Sequence, residues 1–386
     1  MLNTTLLEKV KGLESPFYFY DMALLKETVA LAQQTAQPYN YHIHYALKAN
    51  ANPKILNVIR EGGLGADCVS ANEVLRAIES GFPTGKIVFA GVGKSDKEIV
   101  TALGHDIYCF NCESVQELTV INELAAKMGK TASVALRINP SVEVVNTHKY
   151  ITTGTSENKF GIPPGDFGEL ITLLPALTNL KVVGLHSHIG SQIRDLDNFK
   201  NTCLKFNEIR RWFDQHGIHF SDLNLGGGLG VNYHDPAGEP MADFAGYFGT
   251  IHRYLEVQPS QKVHFELGRA IVAQCGNLLT KVLYTKQSGA KHFAITDAGM
   301  TELIRPALYQ AYHQIENLSA SKGEARNYDV VGPICESSDF FGKAVTLPIT
   351  QRGDLLVVRT AGAYGEVMTS YYNLREKAAV YYSDEL

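Results

Sequence analysis

The sequence predicts a (β/α)8, TIM-like barrel followed by a β-rich domain, the whole being α/β in class. Three observations carry that expectation. Eight short apolar runs recur with helix-patterned stretches between them, the rhythm of parallel βα units. That rhythm stops after Arg269, where strand-like runs follow one another with few helices. The length, 386 residues, suits a large barrel plus a smaller unit. An open doubly wound sheet is the alternative reading of the same alternation.

The expected barrel strands are 41–48, 65–69, 86–90, 107–110, 133–139, 181–188, 222–226 and 262–266. Helical patterns fill 71–80, 114–128, 195–216 and 241–257. Ser70 and Ser114 stand where helix N-caps belong, with Glu73 and Glu117 three residues on, the spacing of a capping box. Later strands are expected at 271–286, 292–297, 328–333, 354–360 and 378–382. The FYFYDM stretch at 17–22 also reads as a strand and is expected to join them. The domains are therefore 22–270 for the barrel, and 1–21 with 271–386 for the β-rich part. The longest irregular segment of the barrel, 140–161, is polar and rich in Gly and Thr, and is a candidate lid.

Composition narrows the class. Hydrophobic residues are 45% and charged residues 19%, which is globular rather than disordered. Lys+Arg number 35 against 40 Asp+Glu, a net charge of -5 with no long basic run, which argues against a nucleic-acid partner. Nothing approaches the roughly 18 continuous apolar residues of a membrane span. The N-terminus is polar and lacks a signal-peptide core, so a cytoplasmic protein is expected. Six scattered cysteines read as reduced thiols rather than a disulfide framework.

In such barrels the active site lies at the C-terminal strand ends. Strand one ends in YALKAN (45–50), strand six in HSHIGS (186–191), strand seven in GGGLG (226–230) and strand eight in ELGR (266–269). The glycine run exposes backbone N–H groups that can cradle a phosphate; its other reading is a tight packing turn. Lys48 can serve as a Schiff-base lysine or as a solvated strand cap. His186 and His188 share a strand face, as do His42 and His44. A metal site would suit both pairs, but His42 and His44 fall below Lys48, toward the far end of the barrel. Glu266 is a carboxylate beside the glycine run or an ion-pair partner of Arg269. Cys109 and Cys112 lack the second pair that zinc requires.

Together these motifs resemble the fold type III decarboxylases that use pyridoxal phosphate (PLP), the group that shares the alanine racemase and ornithine decarboxylase fold. DAGM at 297–300, LIRPALY at 303–309, GPICESSD at 332–339, HKYITTG at 148–154, KFG at 159–161 and AGAYG at 361–365 are similar to the diaminopimelate decarboxylases. The likeness runs from about Tyr18 to Asn373. Two departures are visible: Leu267 stands where the family usually has Pro, and the loop after Pro140 is short of its usual glycines.

The resemblance implies a role for each residue. Lys48 would bind PLP as a Schiff base. Gly226, Gly227 and Gly228, with Ser191, would cradle its phosphate, and Gly268, Arg269 and Tyr364 would complete the cofactor site. His188 would stack on the pyridine face, and Glu266 would pair with the ring nitrogen. Arg269, Arg305 and Tyr309 would take the distal carboxylate of meso-diaminopimelate, Glu336 its distal ammonium, and Tyr364 would also face substrate. Cys335 would return the proton after CO2 leaves, giving L-lysine. The family's Cys-Glu motif comes from the partner subunit, which implies a homodimer with shared sites. An ornithine or arginine decarboxylase would not need two arginines at the distal end. A racemase would want a second base facing Lys48. A non-catalytic PLP-binding barrel would lack the β-rich domain.

Overall fold

The computed structural model describes residues 4–140, 158–320 and 323–386. Eight parallel strands close a barrel: Tyr41–Ala46, Gly65–Cys68, Ile87–Phe89, Cys109–Cys112, Ala132–Arg137, Leu180–His186, Asp222–Asn224 and Lys262–Leu267. They are numbered one to eight below. Strand one pairs in parallel with strand eight from Tyr41↔Val263 to Tyr45↔Leu267, which closes the ring and excludes the open sheet. Strand one stops at Ala46, before its apolar pattern does. Leu47–Ala49 turn off as a 3-10 helix that carries Lys48.

The helices form where period and caps direct them. Ser70 accepts from the Glu73 N–H at 3.2 Å, and Ser114 from the Glu117 N–H at 3.1 Å. The glutamates reach one residue further back than a reciprocal capping box: Glu73 accepts from Val69 N–H and Glu117 from Glu113 N–H. Helix Phe244–Tyr254 buries Phe244, Tyr247, Phe248 and Ile251, one stripe at helical spacing. Two of those rings meet Phe265 of strand eight, with centroids at 5.6 and 5.0 Å. Each such buried side chain contributes about 1.5–3 kcal/mol.

The later strands build one mixed sheet in the order Ile315–Asn317, Leu355–Val358, Gly276–Ser288, Lys291–Thr296, Ala325–Val331, Phe340–Pro348. Phe17–Tyr20 joins it, antiparallel to Gly276–Leu279 and parallel to Ala379–Tyr382. Its alternate residues Phe17 and Phe19 pack with Val10, Leu279, Leu355 and Val357. The sequence pattern needs three corrections here. The expected strand 271–286 begins only at Gly276, because Arg269–Val272 is a helical turn. Ile315–Asn317 is too short to read in advance. Phe340–Pro348 hides its strand character behind Gly342 and a left-handed Ala344.

The chain divides into two compact units. One comprises Val29–Gly230 and Asp243–Gly268, and holds the barrel. The other comprises Met1–Thr28, Val231–Ala242 and Arg269–Leu386, and holds the mixed sheet. Most of the candidate lid, 141–157, lies outside the described residues, as does the motif at 148–154. All six cysteines are free; five are buried and Cys335 is exposed. Among the described residues no helix is long and apolar enough to cross a membrane.

Candidate active site

In the barrel unit the C-terminal strand ends gather the first group of expected residues. Lys48 leaves strand one on its 3-10 turn, steadied by Tyr45 Oη donating to the Asn50 carbonyl at 2.9 Å. Gly268 allows this approach, since a Cβ there would press on Ala46 and Ala49. The Lys48 amine lies 3.1 Å from Asp67 Oδ2, at the end of strand two. Asp67 is wholly buried, and its other oxygen has no partner among the described residues. Burial and the nearby Glu266 charge raise its carboxyl to about 7, against the pull of Lys48.

Glu266 is held by three donors from three other strands. Asn111 and Asn224 donate to Oε1 at 2.7 and 2.8 Å, and His186 Nε2 meets Oε2 at 3.1 Å. Burial alone would neutralise this carboxyl. His186 and Lys48 hold it well below the usual carboxylate range, so it stays ionised.

The glycine run turns sharply after strand seven, with Gly226 and Gly228 at φ 65 and 107°. A Cβ on Gly227 would collide with the Glu266 carbonyl, and one on Gly228 with the Gly190 carbonyl. The turn is thus a close packing of two strand ends, and its Gly226 N–H is taken by Asn224 Oδ1 at 2.9 Å. It is zipped to the loop after strand six, where Ile193 N–H donates to Gly228 and Gly230 N–H to Ile193, both at 2.9 Å. That loop carries His188, whose Nδ1 accepts from Gly227 N–H at 3.1 Å. Burial and the charges of Arg137 and Lys48 keep this imidazole neutral. His42 and His44 lie at the other end of the strands, and His44 Nε2 meets His264 Nδ1 at 3.0 Å.

In the sheet unit a second group forms. Arg269 and Arg305 are buried, and both donate to Tyr233 Oη, at 2.6 and 2.7 Å. Arg269 also lies over the Tyr364 ring, 4.9 Å from its centroid. Tyr309 ends the short helix that Arg305 begins. Cys335 and Glu336 stand on an exposed loop anchored by buried Asp339, which accepts from Met300 and Ile334 N–H. Glu336 accepts from Tyr372 Oη at 2.7 Å, and Cys335 N–H donates to Asn373 at 3.4 Å.

Sequence reading missed Asp67, Asn111, Asn224 and Tyr233. Three of them were within its reach. Asp67, Asn111 and Asn224 sit at or near the ends of strands two, four and seven, where the strand-end rule applies. Tyr233 had no such signal, because it lies in a loop beyond the glycine run.

A lysine amine, an ionised buried carboxylate and a glycine-rich turn at one end of a parallel barrel suit the aldehyde, ring nitrogen and phosphate of PLP. This is the arrangement of a PLP-dependent barrel enzyme. Residues 23–273 match the family described as pyridoxal-dependent decarboxylase, pyridoxal binding domain. The chain is 53% identical over 381 residues to a diaminopimelate decarboxylase of Bacteroides thetaiotaomicron, covering 98% of each. It is 40% identical to that of Aquifex aeolicus, covering 97% of this chain and 88% of that one. The crystal structure of diaminopimelate decarboxylase from Helicobacter pylori complexed with L-lysine matches with a TM-score of 0.91 at 37% identity, covering 98% and 94%. The chain belongs to the diaminopimelate decarboxylase family, and PLP is its cofactor.

Proposed function

We propose that this chain is a cytoplasmic homodimer that removes CO2 from meso-2,6-diaminopimelate to give L-lysine, the closing step of lysine synthesis. The observation that carries the substrate is the pair of buried arginines sharing one phenol. Two guanidinium groups in one place suit a substrate that keeps a carboxylate at the end away from the reaction. Leaving them unpaired penalises diamine-forming substrates such as ornithine.

The roles follow from chemistry. Bound PLP supplies the electron sink for the pair left by departing CO2. Glu266 stays ionised and so holds a proton on the ring nitrogen. The Lys48 amine would hold the cofactor's aldehyde carbon, with Asp67 as its charge partner. His188, kept neutral, supports the ring face. Gly226, Gly227, Gly228, Ser191, Gly268 and Tyr364 hold the cofactor. Arg269, Arg305 and Tyr309 orient the distal carboxylate, with Tyr364 beside them. Glu336 takes the distal ammonium. The Cys335 thiol gives its proton to the carbon that lost CO2.

In this reading residues 22–270 form the PLP-binding domain, and 1–21 with 271–386 complete the active site across the dimer interface. Support for the dimer comes from the apolar surface near Cys335 and Glu336. Leu374 is 93% exposed and Tyr371 64%, and they flank Tyr372 and Asn373, which bond Glu336 and Cys335.

The test is CO2 release from meso-diaminopimelate beside L-ornithine and L-arginine, with added PLP. Release from diaminopimelate alone is expected. Release from ornithine or arginine at a comparable rate would overturn the substrate and the roles of Arg269, Arg305 and Glu336.

A further inference from the structure

Asn224 ends strand seven, and its backbone is held on both sides. Its carbonyl accepts from Ser187 N–H at 2.9 Å, and the next residue, Leu225, donates to the His264 carbonyl at 3.1 Å. The side chain is buried, and both ends of its amide are used. Nδ2 donates to Glu266 Oε1 at 2.8 Å, and Oδ1 accepts from Gly226 N–H at 2.9 Å. A carboxylate accepts and an N–H donates, so the amide can satisfy both in one orientation only. Glu266 N–H in turn donates to the Gly226 carbonyl at 2.8 Å, so three residues close a ring of three hydrogen bonds. An asparagine oxygen that takes the N–H two residues on is a familiar way to fix a bend. A bend needs only the oxygen, however, and leaves the Nδ2 bond to Glu266 unexplained. Asn111 supplies the contrast. It donates to the same Glu266 oxygen at 2.7 Å, and among the described residues its side chain bonds nothing in the glycine turn.

We propose that Asn224 is a positioning residue for the cofactor, and that its single amide keeps the phosphate turn and the ring-nitrogen carboxylate in register. The inference rests on the reading of Gly226, Gly227 and Gly228 as the phosphate cradle and of Glu266 as the ring-nitrogen partner. PLP is a flat ring with a short phosphate arm, so the separation of its two ends varies little. A site that grips both ends binds best when the grips are already set at that separation. The turn does not set it unaided. Gly226 and Gly228 lie at φ 65 and 107°, a region where glycine is little constrained by sterics. Asn224 Oδ1 pins the Gly226 N–H, and His188 Nδ1 pins the Gly227 N–H. Gly228, half-buried where its two neighbours are buried, is then presented beyond two fixed amides. Through Nδ2 the same side chain fixes one oxygen of Glu266. A shift of Asn224 therefore moves both grips, whereas a shift of Asn111 moves one.

The test compares PLP with pyridoxal, which has the same ring and aldehyde but no phosphate. The full chain, freed of PLP, is titrated with each, and the visible absorbance of the bound ligand gives the two dissociation constants. Asn111→Ala removes one donor from Glu266 and leaves the turn alone. Both ligands should bind about tenfold more weakly, with the preference for PLP unchanged. Asn224→Ala removes both bonds. Pyridoxal should weaken about tenfold and PLP about a hundredfold, so the preference for PLP falls about tenfold. Asn224→Ser returns an acceptor for the Gly226 N–H but is too short to reach Glu266, so it should match Asn111→Ala. An Asn224→Ala that weakens both ligands equally is a general packing defect and would overturn the proposal, as would no change in either. A lost preference in Asn224→Ser would overturn it too, and that variant decides the matter if the alanine variant does not fold. Gly228→Ala separates the proposal from the reading beneath it, because a Cβ there would press on the Gly190 carbonyl and distort the turn itself. If Gly228→Ala and Asn224→Ala both keep the wild-type preference, the turn does not hold the phosphate, and the reading and the proposal fail together. If Gly228→Ala loses the preference and Asn224→Ala keeps it, the reading stands and only Asn224 is wrongly assigned.

Discussion

Two layers of side chains inside the same barrel use nearly the same parts for opposite ends. The lower layer has His44, Tyr108, Asp222 and His264; the upper has Asn111, His186, Asn224 and Glu266. Strands seven and eight contribute to both, through Asp222 and Asn224 and through His264 and Glu266, because residues two apart share a face. Each layer contains a His–carboxylate contact of 3.1 Å. The lower network is closed. Asp222 Oδ1 takes Tyr108 Oη at 2.8 Å and His264 Nε2, and Oδ2 takes Ser221 Oγ at 2.9 Å. His44 Nδ1 faces the Lys86 carbonyl, which can only accept, so His44 Nε2 must accept from His264 Nδ1. The upper network is left open. Among the described residues Glu266 Oε2 has a single partner, and His186 Nδ1, Ser187 Oγ and Asp67 Oδ1 have none. A saturated polar network holds a fold together, and an under-satisfied one waits for a ligand.

The largest expected effect comes from breaking the open layer. Glu266→Gln should lower kcat roughly a hundred- to a thousandfold, the scale of losing one preorganised electrostatic partner, with PLP still bound by its visible absorbance. A kcat within tenfold of wild type would sink the ring-nitrogen role. Next comes the closed layer. Asp222→Ala should cost about 3 kcal/mol of stability, because it takes the shared acceptor from Tyr108, His264 and Ser221, while the folded enzyme keeps its kcat. Urea denaturation reads the first and saturation kinetics the second. A large kcat loss with unchanged stability would mean that the lower layer takes part in catalysis.

The smallest effect is the sign of the pH dependence. Burial and His264 lower His44 from 6.5 to about 3. Between those values the unfolded chain binds a proton that the folded chain refuses, so this contribution is present above 6.5 and lost as pH falls toward 3. Asp67 runs the other way, raised from 3.8 to about 7. Its contribution is full below 3.8 and declines as pH rises through 7. Subtracting the stability profiles of His44→Phe and Asp67→Asn from the wild type, without PLP, should give slopes of opposite sign. Equal signs would show that one of the two layers is misread.

Much of the fold was legible in the chain. The eight apolar runs became the eight barrel strands, with end shifts of a few residues, because parallel strands buried on both sides need continuous apolar sequence. Ser70 and Ser114 marked helix starts through local hydrogen bonds. The misses lie where local pattern is weak. Ile271 and Val272, the end of the helical turn Arg269–Val272, read as the start of a strand because they are apolar and β-branched, and the strand Phe340–Pro348 is interrupted by small and charged residues.

What the chain determined alone is what short-range spacing encodes. Lys48 stands just past a strand end, three glycines follow another, and Glu266 closes a third. What only the tertiary structure decided is which distant side chains meet. Asp67 comes to Lys48 across 19 residues, and Asn111 to Glu266 across 155. Tyr233 stands between arginines that are 36 and 72 residues away. The physical reason is that a carboxylate, an amide or a phenol carries no signature of its partner in sequence. Closure of the barrel and packing of the sheet set those distances. The distances, through burial and charge, then keep Glu266 ionised, hold His188 neutral and lower the pKa of Tyr233.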